Sequence, residues 1–430
     1  MRLACVAPPS LRVRRGARSE VRIIFNLLAI LLIPLAAAPA QVVPAATGPG
    51  GLPAVGNFHY AFRYSQTAQF GSDMGDWQTS TPSVSLDYAN ENQRHPFSLN
   101  YSGGYTWTLA GPSYSTGLFQ RLSLSQRFEW RKWNMRVSDD VSYRPQAPTT
   151  GFSGIPGIGE PIGGPGPNSP PTQTILTLNS RVVQNSVNGE IERSLKYRSH
   201  LSVGGGTSLL RYPDGDGLDT NTQMANAGLT WRLNPRNSAS FDYRFSQFSY
   251  PGYGLTFITN TGLFGFHRTW SKRVDSDLSA GPQWTSGSHG AAIPSSIGVA
   301  VDAAVNYQFR SVSAGLNYNR GTNGGSGYEF GSKSDTLTAN FSRQFGRDLH
   351  FGAEGGYTHT TGLRNNEVIN SEHGGAQASR RIGRFISVFA NYTAMNQSSN
   401  STLPSSVLHQ LIHVVGFGIE YSPQERHLKP

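Results

Sequence analysis

Apolar and polar residues alternate along most of the chain with a period of two, and the last alternating segment shows the pattern most fully. Between Leu408 and Tyr421, one set of positions is mostly apolar and the intervening set is small or polar. The apolar set comprises Leu411, His413, Val415, Phe417, Ile419 and Tyr421. A period of two places successive side chains on opposite faces of a β-strand. A strand with one apolar and one polar face is typical of a wall between lipid and an aqueous lumen.

The same alternation recurs through residues 57–421 and predicts about eighteen strands, with about sixteen as the alternative. The segments near Val183 and Ala376 carry the weakest pattern. Short connections lie at 92–96, 131–132, 196–199, 234–237, 271–273, 309–311, 346–348 and 383–384, and longer ones rich in Gly, Ser and Asn lie between them. Short turns alternating with long loops are typical of outer-membrane barrels. The predicted fold class is therefore all-β, a transmembrane antiparallel up-and-down β-barrel.

Composition agrees with a barrel wall. Charged residues make up 14% of the chain, against about 25% in a typical soluble domain. The chain has 49 Gly, 22 Phe, 18 Tyr and 7 Trp, a balance that suits a small polar inner face and an aromatic outer face. So many aromatic residues argue against disorder. The net charge of +10 comes partly from N-terminal Arg residues, and no basic cluster with interleaved aromatic residues predicts nucleic-acid binding.

Residues 1–40 have the pattern of a cleaved export signal. Several Arg residues precede a short apolar run, Ile23–Leu35, and Ala38-Pro39-Ala40 is a small-residue cleavage pattern. We expect cleavage before Gln41. Cys5 lies ahead of that point, so the mature chain is expected to have no disulfide. The predicted organisation is a signal peptide at 1–40, a flexible segment at 41–56, the barrel at 57–421 and a C-terminal tail at 422–430.

The strand pattern, the aromatic end of the last strand at Tyr421 and the aromatic residues near other strand ends resemble bacterial outer-membrane β-barrels of the porin-like family. These aromatic residues are Tyr60, Tyr64, Tyr105, Trp107, Trp130, Trp133, Tyr143, Trp231, Trp270 and Trp284. The resemblance implies a location in the outer membrane of a Gram-negative type cell and passive diffusion of small solutes through a water-filled channel. It further implies contact with outer-membrane lipids, lipopolysaccharide and the barrel-assembly machinery, and a possible homo-oligomer. No cofactor and no nucleic acid is expected.

Charged residues on the polar faces of the predicted strands are the candidate pore lining. They are Arg63, Asp87, Arg121, Arg127, Glu129, Arg136, Asp242, Arg244, Asp302, Glu354 and Arg381, with Asp140 beside them. Mixed charges in a lumen set up a field that selects solutes. The alternative is an ordinary wet lining whose side chains only pair with one another. Asp139 lies on the apolar face of its predicted strand, which indicates either a β-bulge or a wrong phase there.

Three acidic residues, Asp214, Asp216 and Asp219, resemble the start of a calcium-binding loop. The segment has no Glu at the twelfth position and does not repeat, so a solvated turn is favoured over a cation that bridges to lipopolysaccharide. The His residues are scattered without zinc-ligand spacing. A Ser–His–Asp esterase on the barrel wall is the enzymatic alternative, but no G-x-S-x-G elbow is present. The sequence therefore predicts no enzyme and no metal site.

The segment from Pro145 to Pro171 is rich in Pro and Gly and cannot form a regular β-ladder. It is predicted to be either a surface loop or a segment folded into the lumen. A filled lumen would make the protein a non-conducting barrel whose outer loops bind a partner or a surface polymer. A soluble β-sandwich or β-helix is a further alternative, which the many Gly, Ser and Asn on the inner faces disfavour because a dry core needs apolar residues there.

Overall fold

Residues that alternate in polarity form eighteen strands in the computed structural model. The structure describes residues 57–71, 76–90, 95–110, 116–144, 181–195, 198–214, 217–287, 293–325, 329–400 and 411–423. The predicted signal peptide, the 41–56 segment, most of the tail and Pro145–Pro171 lie outside the described residues. Within the described ranges, no helix has the length and hydropathy needed to cross a membrane.

The strands have similar lengths, between 10 and 15 residues. In chain order they are β1 Asn57–Phe70, β2 Trp77–Asn90, β3 Phe97–Ala110, β4 Gly117–Glu129, β5 Trp133–Arg144, β6 Val182–Ser194, β7 Ser199–Arg211, β8 Thr220–Asn234, β9 Asn237–Tyr250, β10 Leu255–Thr269, β11 Val274–Gly287, β12 Ser296–Phe309, β13 Val312–Asn323, β14 Ser332–Phe345, β15 Leu349–Gly362, β16 Val368–Ile382, β17 Ile386–Ser399 and β18 Ile412–Tyr421. A strand of about 10 residues is long enough to cross a bilayer when it is tilted.

The sheet closes on itself. Each strand pairs antiparallel with its neighbours in the chain, and β18 also pairs with β1, from Phe62↔Tyr421 to Phe70↔His413. Closure leaves no free edge, whose unpaired N–H and C=O groups would cost several kcal/mol each in hydrocarbon. The predicted up-and-down barrel is confirmed, with 18 strands. The two segments with the weakest alternation form full strands, β6 and β16.

The exposure of side chains follows the alternation, because large apolar residues point out of the barrel. In β12, Ile297 is 75% exposed and Val299 is also exposed, whereas Ala300 beside it is buried. In β10, Phe264 and Phe266 are exposed and Leu263 is buried. An apolar surface that continues around the outside of a closed barrel is stable in lipid and would aggregate in water.

The two ends of the barrel differ in their connections. Arg310 and Ser311 alone join β12 to β13, and three residues from Gly346 join β14 to β15. Arg310 (φ 49°) and Gly346 (φ 63°) adopt the left-handed conformation that such tight hairpins need. We call this the turn end, and the opposite end, with the longer connections, the loop end. Asn57 and Tyr421 both lie at the turn end, as an even number of strands requires.

Guanidinium groups stack on aromatic rings around the turn end. Arg268 lies 4.0 Å from the centroid of the Trp270 ring, and Arg273 lies 3.8 Å from that of Phe309. The same contact recurs between Arg193 and Trp133, Arg343 and Phe345, and Arg384 and Phe385. Aromatic rings and long cationic side chains favour the level of lipid headgroups. These residues, the turn-end belt, mark one edge of the membrane-embedded band.

Side chains reinforce the seam between β1 and β18. Arg63 forms an ion pair with Glu420 directly across the two strands, and its guanidinium lies 4.9 Å from the ring centroid of Phe389 on β17. A Cβ atom at Gly418 would lie only 2.5 Å from the Phe389 ring and would also collide with the Tyr64 carbonyl oxygen. Glycine at 418 therefore lets the first and last strands approach under this cluster.

Strand β5 explains the position of Asp139. The register between β4 and β5 is continuous from Gln120↔Tyr143 to Glu129↔Asn134, so the suggested β-bulge is wrong. The predicted phase is right, and Asp139 shares the outward face with Val137 and Val141. Asn185 on β6 donates a hydrogen bond to Asp139 Oδ1 at 3.0 Å. The Asn185 amide is therefore the hydrogen-bond partner of a carboxylate on the lipid-facing wall.

Candidate pore lumen and outer mouth

The candidate pore-lining residues lie on the inward faces of their strands, where solvent still reaches them. Side-chain exposure is 30% for Arg121, 38% for Asp140, 42% for Arg244 and 31% for Asp302. The closed wall separates these side chains from the outside of the barrel. Their exposure is therefore exposure to an internal space, which the side chains leave partly unfilled.

Arg121 and Asp140 form an ion pair across β4 and β5. The distances from Arg121 Nε and Nη2 to Asp140 Oδ2 are 3.2 and 3.1 Å, and Ser123 also donates a hydrogen bond to that oxygen. Because both groups are partly solvated, the pair stabilises the fold by about 1 kcal/mol or less. Its main effect is to hold a positive and a negative charge at fixed positions on the inner wall.

A second ion pair bridges non-adjacent strands. Arg244 on β9 reaches over β10 and β11 to Asp302 on β12, with 2.8 Å between Nη1 and Oδ2. Asn319 on β13 also donates a hydrogen bond to Asp302. The bridge therefore passes over the inward face of β10 and β11, whose residue pairing is interrupted at Gly262 and Leu263.

Charges also gather on β4, β5 and β6. Arg127 Nη1 lies 3.4 Å from Glu129 Oε1 on the same strand. Arg136 stands opposite Arg127 on one side and opposite Glu190 on the other. The structure thus brings three candidates, Arg127, Glu129 and Arg136, into one patch near the turn end.

The remaining candidates are distributed around the wall. Arg63 is paired at the seam, and Asp242 accepts a hydrogen bond from Ser240 at 3.0 Å. Asp87, Glu354 and Arg381 lie on three other strands, β2, β15 and β16. The structure therefore does not gather the candidates into one constriction. Their role as a pore lining stays a prediction.

Sequence reasoning missed several inward charges. His267 Nδ1 lies 2.7 Å from Asp277 Oδ1 across β10 and β11. Glu190 and Glu192 also occupy the inward face of β6. The alternation that identified Arg63 could have identified all of these residues, because each is separated by an odd number of positions from an outward apolar residue on its strand.

Hydroxyl side chains line the inward face toward the loop end and are buried. Thr81 donates to Thr106 at 3.1 Å, and Gln283 donates to Thr261 at the same distance. The buried inward hydroxyl residues are Ser65, Thr67, Thr79, Thr81, Thr106, Ser142, Ser186, Ser208, Thr220, Thr222, Thr259, Thr261, Thr285, Ser332, Ser334, Thr358, Thr360, Ser371 and Thr393. This part of the inner wall therefore combines hydroxyl groups with apolar side chains such as Phe119, Ile369 and Ile412.

Apolar residues from four loops meet at the loop end. Leu218, Phe248, Tyr250, Phe257, Ile293 and Leu363 form a buried cluster, against which Leu255 and Phe330 pack. The Phe248 and Phe257 rings stack at 4.7 Å between centroids, and Phe330 meets Tyr250 edge-on at 5.2 Å. The backbone N–H of Leu363 donates to the carbonyl of Gly331 at 3.0 Å, which joins two of the loops. We call these residues the mouth cluster. Because the strand residues of the cluster point inward, it occupies part of the lumen opening.

Glu329 is the acidic residue beside the mouth cluster, in the connection between β13 and β14. It is 4% exposed, and neither carboxylate oxygen has a hydrogen-bond partner among the residues that the structure describes. A cavity of about 170 Å³ is lined by Glu329, Phe330, Gly331, Arg364 and Asn365. The Arg364 guanidinium lies 5.4 Å from the Phe330 ring centroid. Burial, together with the charge of Glu367, raises the pKa of Glu329 to about 7.

The acidic segment considered as a calcium loop is held by arginines. Arg181 Nε lies 2.8 Å from Asp214 Oδ2, and this hydrogen bond holds the pKa of Asp214 below its ordinary range. Asp219 accepts the backbone N–H of Tyr212 at 2.9 Å. Asp216 lies outside the described residues. Elsewhere in the described part of the chain, no group of three His, Cys, Asp or Glu could hold a metal ion.

Comparison with known proteins gives a likeness only to solved structures. No family model and no curated protein matches the chain. Pseudomonas aeruginosa OccK3 (OpdO) is 11% identical, covers 85% of this chain and 95% of its own, and has a TM-score of 0.45. The corresponding values are 12%, 86%, 99% and 0.45 for P. aeruginosa OccK2 (OpdF), and 8%, 85%, 97% and 0.43 for Acinetobacter baumannii OccAB4. Sequence identities and TM-scores this low do not assign a function, so the function has to be argued from the residues of the chain itself.

Proposed function

We propose that the protein is a porin-like channel of the outer membrane through which small solutes diffuse passively. The observation that carries this proposal is the solvent exposure of charged side chains inside a closed wall, as at Arg121 and Asp302. A barrel filled by its own side chains would bury these groups and pair them fully. Barrels of 16 to 18 strands are large enough to keep an aqueous channel.

The outer surface and the ends support the location. The exposed apolar band suits hydrocarbon, and the turn-end belt suits the headgroup level of one leaflet. Short turns face the periplasm in bacterial barrels, so the mouth cluster faces the cell exterior. On this basis the protein contacts phospholipids at the turn end and lipopolysaccharide at the loop end. Insertion by the barrel-assembly machinery and association into homo-oligomers belong to the same proposal.

The charges of the lumen indicate the class of solute. Arg121 is paired with Asp140 and Arg244 with Asp302, so opposite charges stand close together instead of forming a single-sign ring. Such a wall orients dipolar solutes and imposes little net ion selectivity. We therefore expect small polar and zwitterionic solutes to pass more readily than apolar solutes of the same size.

Single-channel recording in a planar bilayer tests the channel. Protein purified from outer membranes is expected to give stable conductance steps with weak ion selectivity. The matched control is Gly418→Trp, because a large side chain at the seam blocks closure of the barrel. Absence of steps from protein that shows heat-modifiable gel mobility, over the full pH range and with the mouth cluster truncated, would refute the proposal.

A non-conducting barrel is the second candidate, and the mouth cluster is the observation that favours it. Its aromatic rings pack across the lumen opening and would obstruct solutes if they never moved. In that case the outer loops would serve to bind a partner or a surface polymer. The distinguishing variant is Phe330→Ala with Leu363→Ala. Current from this variant but none from the parent at any pH would assign a permanently closed mouth to the native protein.

A further inference from the structure

The carboxylate of Glu329 stands in an environment that does not suit its charge. Its oxygens have no hydrogen-bond donor in the described part of the chain, and the neighbouring cluster supplies aromatic and aliphatic side chains. Burial without partners strongly disfavours an ionised carboxylate, whereas it disfavours the protonated form much less. Closing the mouth therefore favours a neutral Glu329, and ionisation of Glu329 favours loops that let the group reach water.

We propose that the mouth cluster is a gate that closes when Glu329 is protonated and opens when Glu329 is ionised. This regulatory role rests on the proposed channel function. The moving parts are Glu329–Gly331 and Leu363, which are joined by the hydrogen bond from Leu363 N–H to Gly331 C=O. Because Phe330 follows Glu329 directly, withdrawal of the carboxylate into solvent removes the Phe330 ring from Tyr250 and uncovers the cluster.

The charged and titratable groups around Glu329 agree with this direction. Glu367, on the loop between β15 and β16, repels the ionised form. Arg364 on the same loop lies over the Phe330 ring instead of forming an ion pair with the carboxylate. Tyr250 on β9 uses its hydroxyl to donate to the Gly324 carbonyl at 2.6 Å. The neighbouring β7–β8 and β11–β12 loops contribute the apolar side chains of Leu218 and Ile293 to the cluster.

The pH window follows from linkage. The pKa of Glu329 is raised from its ordinary 4.5 to about 7 with the mouth closed, and is expected to return toward 4.5 when the loops open. The closed form therefore has its full stability below about pH 4.5, loses it as the pH rises toward 7, and changes little above that. Within this window the ratio of open to closed mouths rises tenfold per pH unit, which gives about a 300-fold rise between pH 4.5 and 7.

The direct test is the pH dependence of open probability in planar bilayers. The native protein is expected to be mostly closed at pH 5 and to open with a midpoint between about pH 5 and 7. Glu329→Gln should abolish this dependence and keep the low-pH behaviour at pH 8. Glu367→Gln should make the rise in open probability smaller, because it removes a charge that disfavours ionised Glu329 in the closed mouth. Glu372→Gln, on the exposed outward face of β16, is the matched control and should leave the profile unchanged.

A labelling measurement separates the gate from the channel. In a Cys5→Ser background, Ile293→Cys places a thiol in the cluster, and Tyr253→Cys provides an exposed reference. At pH 8, a maleimide should label the buried position much faster with Glu329 than with Gln at 329, after normalisation to the reference. Equal rates would overturn the gate. Current without pH dependence would also overturn it and leave the channel intact, whereas Glu329-dependent labelling without any current would refute the channel alone.

Discussion

Adjacent carboxylates in β5 face two different solvents. Asp139 points toward lipid and has the Asn185 amide as its partner, whereas Asp140 points into the lumen and pairs with Arg121. The same chemical group thus differs in environment by one step along the strand. The outward carboxylate is unfavourable in lipid, and the inward one balances an arginine on the wall.

Substitution of these two residues by Val should therefore have opposite effects. Asp139→Val, made together with Asn185→Val so that no amide is left without its partner, is expected to stabilise the barrel by about 1 kcal/mol, since it removes two polar groups from the lipid face. Asp140→Val should destabilise it, because Arg121 then loses its carboxylate partner. Urea unfolding of each variant in lipid vesicles measures both changes. A loss of stability in Asp139→Val with Asn185→Val would contradict the outward assignment.

The bridge from Arg244 to Asp302 predicts a change in selectivity. Arg244→Ala removes a positive charge and leaves Asp302 facing the lumen, so cation selectivity and conductance should both rise. Stability should fall by about 1 kcal/mol or less, because the pair is partly exposed. Reversal potentials across a salt gradient measure the selectivity. The double variant Arg244→Ala with Asp302→Ala should return selectivity to the native value. Unchanged selectivity in Arg244→Ala alone would show that the bridge lies outside the conduction path.

At the scale of elements, the contact between the first and last strands depends on a missing side chain. Gly418→Ala is expected to cost about 1–3 kcal/mol, because the added methyl group collides with Tyr64 and Phe389. Gly298 in β12 is the matched control: a Cβ atom there meets nothing within 4 Å, so its replacement by Ala should change stability by less than about 0.5 kcal/mol. Urea midpoints and heat-modifiable gel mobility report both effects. Equal midpoints would show that the seam has room for a side chain.

The strands were predictable because a wall between lipid and water requires apolar and polar residues to alternate along every strand. Alternation identified even β6 and β16, and it placed Arg121 and Asp302 on inward faces without knowledge of their neighbours. The bridge between Arg244 and Asp302 was not predictable, since it depends on the register of four strands and on the shape of the inner wall. The mouth cluster was missed for a different reason. Glu329, Phe330 and Leu363 lie in loops, where no periodicity distinguishes a packed residue from a solvated one.

At the scale of the whole molecule, the two ends have different roles. The turn end is tight, with short hairpins and the Arg-rich turn-end belt, and it fixes the barrel in one leaflet. The loop end carries the mouth cluster and Glu329, which control access to the lumen under the proposed gate. The Arg121–Asp140 and Arg244–Asp302 pairs lie on the inner wall between the two ends. This division predicts that substitutions at the turn end alter insertion, whereas those at the loop end alter conduction.

A prediction for the whole molecule concerns the turn-end belt. Replacement of Arg193, Arg268, Arg273, Arg343 and Arg384 by Gln should slow insertion into vesicles that contain anionic phospholipid, because each cation near such a surface contributes about 1 kcal/mol of attraction. Insertion into zwitterionic vesicles should change much less. The rate at which the heat-modifiable band appears on gels provides the measurement. Equal slowing in both kinds of vesicle would indicate lost packing instead of lost charge.

The ion pair across the seam has a consequence for assembly. Arg63 and Glu420 are 357 residues apart in the chain, so the edge of β1 has no permanent partner until synthesis and export are almost complete. Contacts of such long range form slowly, and intermediates with exposed strand edges are prone to aggregation. Any chain that ends before β18 keeps two exposed strand edges that can pair with other chains. Quality control in the cell envelope can therefore recognise an incomplete chain by its exposed strand edges, since only a chain that includes β18 covers both edges.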